Sequence, residues 1–283
     1  MAGFMFRAAA AAAGCVCLCV WVCGCFGEPA ATPRAAGETA SDAAKLPAED
    51  RIPAERGEIV VRAIQHASFV LQHGDKTVYV DPVGGAAAYR GLPKPDLVLI
   101  THAHFDHLDV ATLEGVVAAD GKVPLVATKE VAGELAGKVP GSRVIVLANG
   151  EKTEAAGVAV EAVAAYNTTA DRKQFHPKGR DNGYVLRLGG KTLYVAGDTE
   201  DTPEMRALAL PPAKIDAAFL PMNKPYTMDV AQAADAVRQF RPKVVYPYHF
   251  RNSDKSMADL EAFRRAVGND VGVDVRLLHW YPE

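Results

Sequence analysis

The part of this chain that would fold contains no cysteine. All five, Cys15, Cys17, Cys19, Cys23 and Cys25, fall in one apolar stretch near the N-terminus. Residues 26–283 can therefore build neither a disulfide framework nor a thiolate metal site, and they offer no cysteine nucleophile. A Gly-x-Ser-x-Gly element is missing too, which removes the usual serine elbow of hydrolases. Positive charge is not in excess: 31 Lys and Arg stand against 34 Asp and Glu, for a net charge of −3. Without a broad basic field the chain has no electrostatic footprint for nucleic acid. No segment recurs at a fixed period, so a solenoid or propeller is excluded. The apolar run at residues 8–22 is shorter than the roughly 20 residues that span a bilayer.

What is present is a composition of 49% hydrophobic and 23% charged residues, enough apolar surface for a sizeable core. Arg7 followed by the apolar run has the order of a secretory signal. Its end, Val22-Cys23-Gly24-Cys25, resembles a bacterial lipobox, with Cys25 as the residue that would carry lipid. On that reading residues 1–25 are a signal peptide and the mature chain is exported to the bacterial cell envelope, on the periplasmic side. It would be held to the membrane surface by its acyl chains. An ordinary cleaved signal and an uncleaved anchor are the alternatives. Residues 26–56 are rich in Ala, Pro, Glu and Thr without apolar periodicity and read as a disordered linker, which leaves 57–283 as the folded domain.

In that domain short β-branched runs alternate with helical patterns. Strands are predicted at 58–63, 68–72, 76–80, 96–101, 123–128, 143–147, 158–164, 183–188, 191–196, 217–220, 243–246 and 273–278. Helices are predicted at 109–119, with Asp109 as cap, and at 130–135, 203–210, 230–240 and 257–267. Hairpins mixed with alternating helices indicate an α/β fold of two mixed sheets with helices outside.

The chemistry concentrates in Thr101-His102-Ala103-His104-Phe105-Asp106-His107. Three of the eight histidines lie within six residues directly after an apolar strand, where ligands gather in α/β sheets. In an extended segment His102, His104 and Asp106 would share one face, so for His107 to join them the chain must bend before the Asp109 cap. Imidazoles with an adjacent carboxylate suit zinc or a similar divalent ion.

His-x-His-x-Asp-His after a strand resembles the signature of the metallo-β-lactamase superfamily. The resemblance extends to Gly197-Asp198-Thr199 after a strand and to His249 after another. Gln65-His66-Ala67 with Asp81-Pro82, and Pro225-Tyr226-Thr227-Met228, resemble the L-ascorbate-6-phosphate lactonase-like branch. It covers residues 57–283 and implies a four-layer αββα sandwich that holds two divalent ions, zinc or else manganese. By the resemblance His102 and His104 would hold one ion, Asp106, His107 and His249 the other, and Asp198 would bridge them. Asp106 and Asp198 would be catalytic, Asp106 by holding the attacking water and Asp198 by positioning the metal pair. The branch places a further histidine just after the strand ending near Ala165, where this chain has Tyr166-Asn167-Thr168. His176 is the nearby candidate; ligation by the Asn167 oxygen, or an under-coordinated first ion, are the alternatives.

Lys224 and Tyr226 stand in a loop before a helix and are candidate contacts for an anionic substrate group. His66 is either a pocket residue that meets substrate or a hydrogen-bonded core histidine, while His73 and His279 read as structural. The implied activity is metal-assisted hydrolysis of a small-molecule or lipid substrate, with phosphodiesters and lactones or other esters ahead of β-lactams. A lipid-anchored metal-containing binding or scaffold protein without turnover is the alternative from a different class.

Overall fold

A computed structural model describes residues 48–117, 122–139, 143–211 and 214–282. The expected signal segment, Cys25 and residues 26–47 of the expected linker lie outside them. Among the described residues no helix is long and apolar enough to cross a membrane.

Two seven-stranded sheets carry the domain, each with its strands side by side in chain order. The first holds β1 (Glu49–Ala54), β2 (Gly57–Gln65), β3 (Ser68–His73), β4 (Lys76–Val80), β5 (Leu97–Leu99), β6 (Pro124–Ala127) and β7 (Arg143–Val146). The second holds β8 (Lys152–Ala155), β9 (Val158–Ala165), β10 (Asp181–Leu188), β11 (Lys191–Val195), β12 (Ala217–Pro221), β13 (Val244–Tyr248) and β14 (Asp274–Val275). In both, the first four strands pair antiparallel and the last four parallel.

The inner faces meet in one continuous core. Phe69 of β3 stacks on Phe219 of β12, ring centroids 4.3 Å apart, amid fully buried Leu71, Val78, Val80, Leu193 and Val195. Each such buried aliphatic side chain contributes about 1.5–3 kcal/mol. On the outer face of the first sheet, Val98, Ile100 and Leu125 cluster with Leu113 and Val116 of α1 (Val110–Val116) and with Val131 and Leu135 of α2 (Lys129–Leu135). On the second, Ala233, Val237 and Phe240 of α4 (Val230–Phe240) and Phe263 and Val267 of α5 (Leu260–Val267) join the main core, and α3 (Pro203–Ala207) follows the Thr202 cap. The layers run helix, sheet, sheet, helix, as the resemblance implied.

The two halves repeat each other locally. Lys76-Thr77-Val78-Tyr79-Val80 forms β4, and Lys191-Thr192-Leu193-Tyr194-Val195 forms β11. Thr77 donates its amide to Asp96 Oδ2 at 2.8 Å before β5, and Thr192 donates its amide to Asp216 Oδ2 at 2.9 Å before β12. The helix after each of those strands is capped by an aspartate, Asp109 for α1 and Asp229 for α4.

Two strands have no counterpart in the sequence expectation. β1 lies inside the expected linker and pairs with β2 across the turn at Glu55-Arg56. Only Ile52 of its six residues is buried, and its edge is charged, Glu49 pairing with Arg62 and Arg51 with Glu58. β8 is a second charged edge strand, Lys152 meeting Glu161 at 2.9 Å. Edge strands of this kind have no apolar alternation to read. β5 stops at Leu99, two residues short of expectation, because the Thr101 amide turns to the Asp81 carboxylate instead of a neighbouring strand.

Candidate metal centre

The His-x-His-x-Asp-His segment leaves β5 as a turn, in which His107 and Leu108 both donate their amides to the His104 carbonyl, at 2.9 and 2.8 Å. That bend is what the motif needed to turn His107 inward. The loop is stitched to the second sheet, Asn182 donating its amide to the Thr101 carbonyl and Tyr184 its hydroxyl to the Ile100 carbonyl.

Asp198 arrives from β11 through Ala196-Gly197. Gly197 has φ +65°, and a Cβ there would lie 2.8 Å from the Asn182 carbonyl oxygen; one on Gly183 would lie 2.6 Å from the Ala196 oxygen. Only glycine lets the strands approach this closely. His66, Asp81 and His249 also adopt left-handed φ, at 56, 41 and 47°. Each such non-glycine residue costs on the order of 1–3 kcal/mol, a strain that concentrates at functional sites.

The structure brings seven expected donors and His66 together in three groups, the first two sharing His102: His102, His104 and His176; His102, His107 and Asp198; and His66, Asp106 and His249. Within each group the candidate donor atoms lie within 4.8 Å of one another. Asp198 sits among them. Its Oδ1 is 3.3 Å from His107 Nε2, and its Oδ2 is 3.5 Å from His176 Nε2 and 3.4 Å from His249 Nε2, which in turn lies 3.4 Å from Asp106 Oδ2. Two ligands at 2.0–2.2 Å from a tetrahedral ion stand about 3.3–3.5 Å apart, so this spacing fits a divalent ion. Three of the inward atoms, His102 Nε2, His107 Nε2 and Asp198 Oδ1, are buried without a hydrogen-bond partner. Unpaired buried polar atoms are costly and point to a missing partner. The residues therefore fit a metal.

Their outer atoms are held by groups that stand outside the expected donor set. Asp81 lies 2.8 Å from His107 Nδ1 and accepts from both the amide and the hydroxyl of Thr101 at 2.7 Å. Asp181 lies 3.0 Å from His176 Nδ1 and grips Arg180, whose Nη2 is 3.4 Å from His104 Nε2. The Asn223 amide nitrogen is 3.1 Å from His249 Nδ1. Carboxylates on Nδ1 leave Nε2 facing the centre, the arrangement that orients metal-ligating histidines. Each orienting aspartate adjoins a strand end, a position that by itself signals nothing in sequence.

His176 comes from a loop that folds back, as a ligand role would require. The buried Glu200 carboxylate accepts from the Thr168 and Thr169 amides at 2.8 and 2.6 Å and from Arg172 Nη1 at 3.0 Å. The Asn167 amide donates to the His176 carbonyl, and its side-chain nitrogen donates to the carbonyls of Arg172 and Tyr226. Asn167 Oδ1 is buried without a partner.

Charge follows burial and neighbours. Burial, with His107 alongside, holds His102 well below the usual histidine range, so it is a neutral donor. Burial opposes the charged forms of His107 and Asp198, but opposite charges outweigh it: Asp198 and then Asp81 push His107 well up, and His249 and then His107 hold Asp198 well down. Burial would raise Asp106, yet His249 and His66 together hold it far below the usual carboxylate range.

A cavity of about 320 Å³ opens on this centre, lined by His66 and Asp106 and by Phe105, which is 88% exposed. Neither Lys224 nor Tyr226 lines it. A larger cavity of about 600 Å³, bordered by Lys152, Arg187 and Glu204, touches none of the donors.

A family model described as a β-lactamase superfamily domain matches residues 61–249. A metal-dependent hydrolase of Pyrococcus abyssi from the UPF0173 group is 33% identical over 222 residues, 77% of this chain and 96% of its own length. A structure from Parabacteroides distasonis, described as a metal-dependent hydrolase, is 38% identical with a TM-score of 0.71, over 82% of this chain and 98% of that one. A metallo hydrolase of Ignicoccus hospitalis is 26% identical with a TM-score of 0.65, over 79% and 96%. With its matching motif, fold and donor spacing, the chain belongs to the metallo-β-lactamase superfamily, in the UPF0173 group of metal-dependent hydrolases.

Proposed function

We propose that the protein hydrolyses a phosphodiester, or a lactone or other ester, using two divalent ions, zinc or else manganese. The observation that supports this best is the position of Asp198, one oxygen facing His107 and the other facing both His176 and His249. His102, His104 and His176 would hold one ion, Asp106, His107 and His249 the other, and Asp198 would reach both. When bound, such ions lower the pKa of water toward about 7 and stabilise charge on the attacked group.

The chain's own residues do the rest. Asp106, held ionised, presents Oδ2 between His66 Nε2 at 3.2 Å and His249 Nε2, and there orients the attacking water. Asp81 and Asp181 keep the rings of His107 and His176 from rotating. The buried walls exclude bulk water from the rest of the centre.

The test is a panel of bis(4-nitrophenyl) phosphate, a γ-lactone, an aryl ester and a cephalosporin, run on chelator-stripped protein with zinc and with manganese. Turnover of a phosphodiester, lactone or ester that returns only with metal is the expected result. Metal uptake without turnover would favour a binding protein, and turnover of the cephalosporin alone would move the substrate to β-lactams. We also propose that Cys25 is lipidated and holds the exported chain to the envelope membrane, a reading supported by the Val22–Cys25 sequence. Cys25→Ser should release the protein from the membrane fraction; unchanged membrane retention would contradict it.

A further inference from the structure

The cavity beside the metal centre carries one cation whose role nothing above explains. Arg251 lines it, two residues beyond His249, together with Gln65, His66, Phe105 and Tyr281. Its guanidinium lies over the Tyr281 ring, 4.2 Å from the centroid, and its backbone amide donates to the Tyr281 hydroxyl at 2.9 Å. Tyr281 packs edge-on against His66 at 5.5 Å, so the arginine is fixed relative to the centre through one aromatic ring.

The acids of the cavity are already engaged. Asp109 accepts from the Ala111 and Thr112 amides and the Thr112 hydroxyl at the start of α1, and Asp106 faces His66 and His249. Among the described residues no carboxylate lies within ion-pair distance of Arg251, although most other arginines of the domain have one. An arginine held over a ring, its guanidinium without a hydrogen-bond partner among the described residues, is pre-organised for bidentate contact with a carboxylate or phosphate. Across the same cavity Phe105 offers an exposed ring that no described residue covers, against which an apolar segment can lie.

We propose that this cavity binds the non-scissile part of the substrate, and that this part bears a second anionic group seated on Arg251 with an apolar segment against Phe105. Arg251 is then a specificity residue that selects substrates bearing an anion remote from the bond cleaved. The inference rests on the hydrolase reading. It moves the expected anion contact from Lys224, which lies outside the cavity, to Arg251.

The experiment compares the 4-nitrophenyl half-ester of adipic acid with its neutral methyl-capped form and with a chain of matched length ending in phosphate. It uses metal-loaded wild type, Arg251→Ala, Arg251→Lys and Phe105→Ala. The ratio of kcat/KM for either anionic ester to that for the neutral one should fall at least tenfold in Arg251→Ala, mostly through KM, and partly recover in Arg251→Lys. The carboxylate and phosphate arms show which anion the arginine prefers. Phe105→Ala should lower kcat/KM for all three and leave the ratio intact. A ratio within twofold of wild type in Arg251→Ala overturns the proposal. If wild type turns over none of the esters, the ester arm of the proposed function fails separately and adipate binding by calorimetry decides instead: at least a tenfold weaker Kd in Arg251→Ala sustains the anion site, and an unchanged Kd removes it.

Discussion

The two halves of the domain share a scaffold and differ in what they do with it. Each has four antiparallel strands running into parallel ones, a Lys-Thr-x-Tyr-Val strand tied to the aspartate before the next strand, and an aspartate-capped helix. In the first half the loop after β5 carries His102, His104, Asp106 and His107. Its counterpart after β12 carries Asn223, Lys224 and Tyr226 and adds only an amide contact to His249. The aspartates that follow β4 and β11 diverge too: Asp81 faces the outer nitrogen of His107, while Asp198 faces the centre itself. Topology therefore gives equivalent positions, and the chemistry depends on which loop is furnished with donors.

The largest test of that contrast is His102→Ala. Losing a donor that enters two of the three groups should remove several kcal/mol of transition-state stabilisation, roughly a thousandfold in kcat/KM. Steady-state kinetics beside metal analysis would show it, and retention of both would place the chemistry elsewhere. Asp81→Asn should act one step removed. The ring of His107 loses its carboxylate, and metal affinity should drop about 10–100-fold while the fold persists, read by competition with a chromophoric chelator. An unchanged affinity would make Asp81 a purely structural residue.

The second half's own device is the Glu200 knot. Replacing Glu200 by Ala strands the Thr168 and Thr169 amides and the Arg172 guanidinium, and should cost about 3 kcal/mol in chemical denaturation. Burial would raise the Glu200 carboxyl, but the Thr169 and Thr168 hydrogen bonds outweigh it and hold it below the usual range. Its contribution is therefore fully present above the unfolded glutamate value and is lost as pH falls through the lower folded value. Wild type should lose stability across that acidic window more steeply than Glu200→Ala. Parallel pH slopes would contradict the assignment. The smallest effect tests the repetition itself: Asp96→Ala and Asp216→Ala should each cost about 1 kcal/mol for the lost amide hydrogen bond, with Asp216→Ala losing up to about 1 kcal/mol more through its ion pair with Lys243. A large disparity would mean that the two strand pairs are alike only in sequence.

The same contrast explains what could be read before the fold was known. Donors in one contiguous segment announce themselves, because three histidines and an aspartate after an apolar strand have few bland readings. Asp198 and His249 each follow a clean β-branched strand and so were legible through the family pattern. His176 was harder. Its approach to His102 depends on Glu200, Asn167 and Asp181, residues far from it or unremarkable in sequence, and only the folded loop brings them into register. Arg251 and Asp81 share that difficulty, since their partners Tyr281 and His107 are distant along the chain. β1 and β8 were missed for a different reason, as half-exposed charged edges leave no period to detect.

The claim on which the rest depends is that donors from both halves hold metal together around Asp198. Chelator-stripped protein titrated with zinc, with metal counted per chain and turnover followed at each addition, tests it for wild type and for His176→Ala. The account predicts two ions per chain and turnover restored with them in wild type, and loss of one tightly held ion together with most of the turnover in His176→Ala. Full metal content and full turnover in His176→Ala, or turnover by wild type stripped of metal, would contradict it.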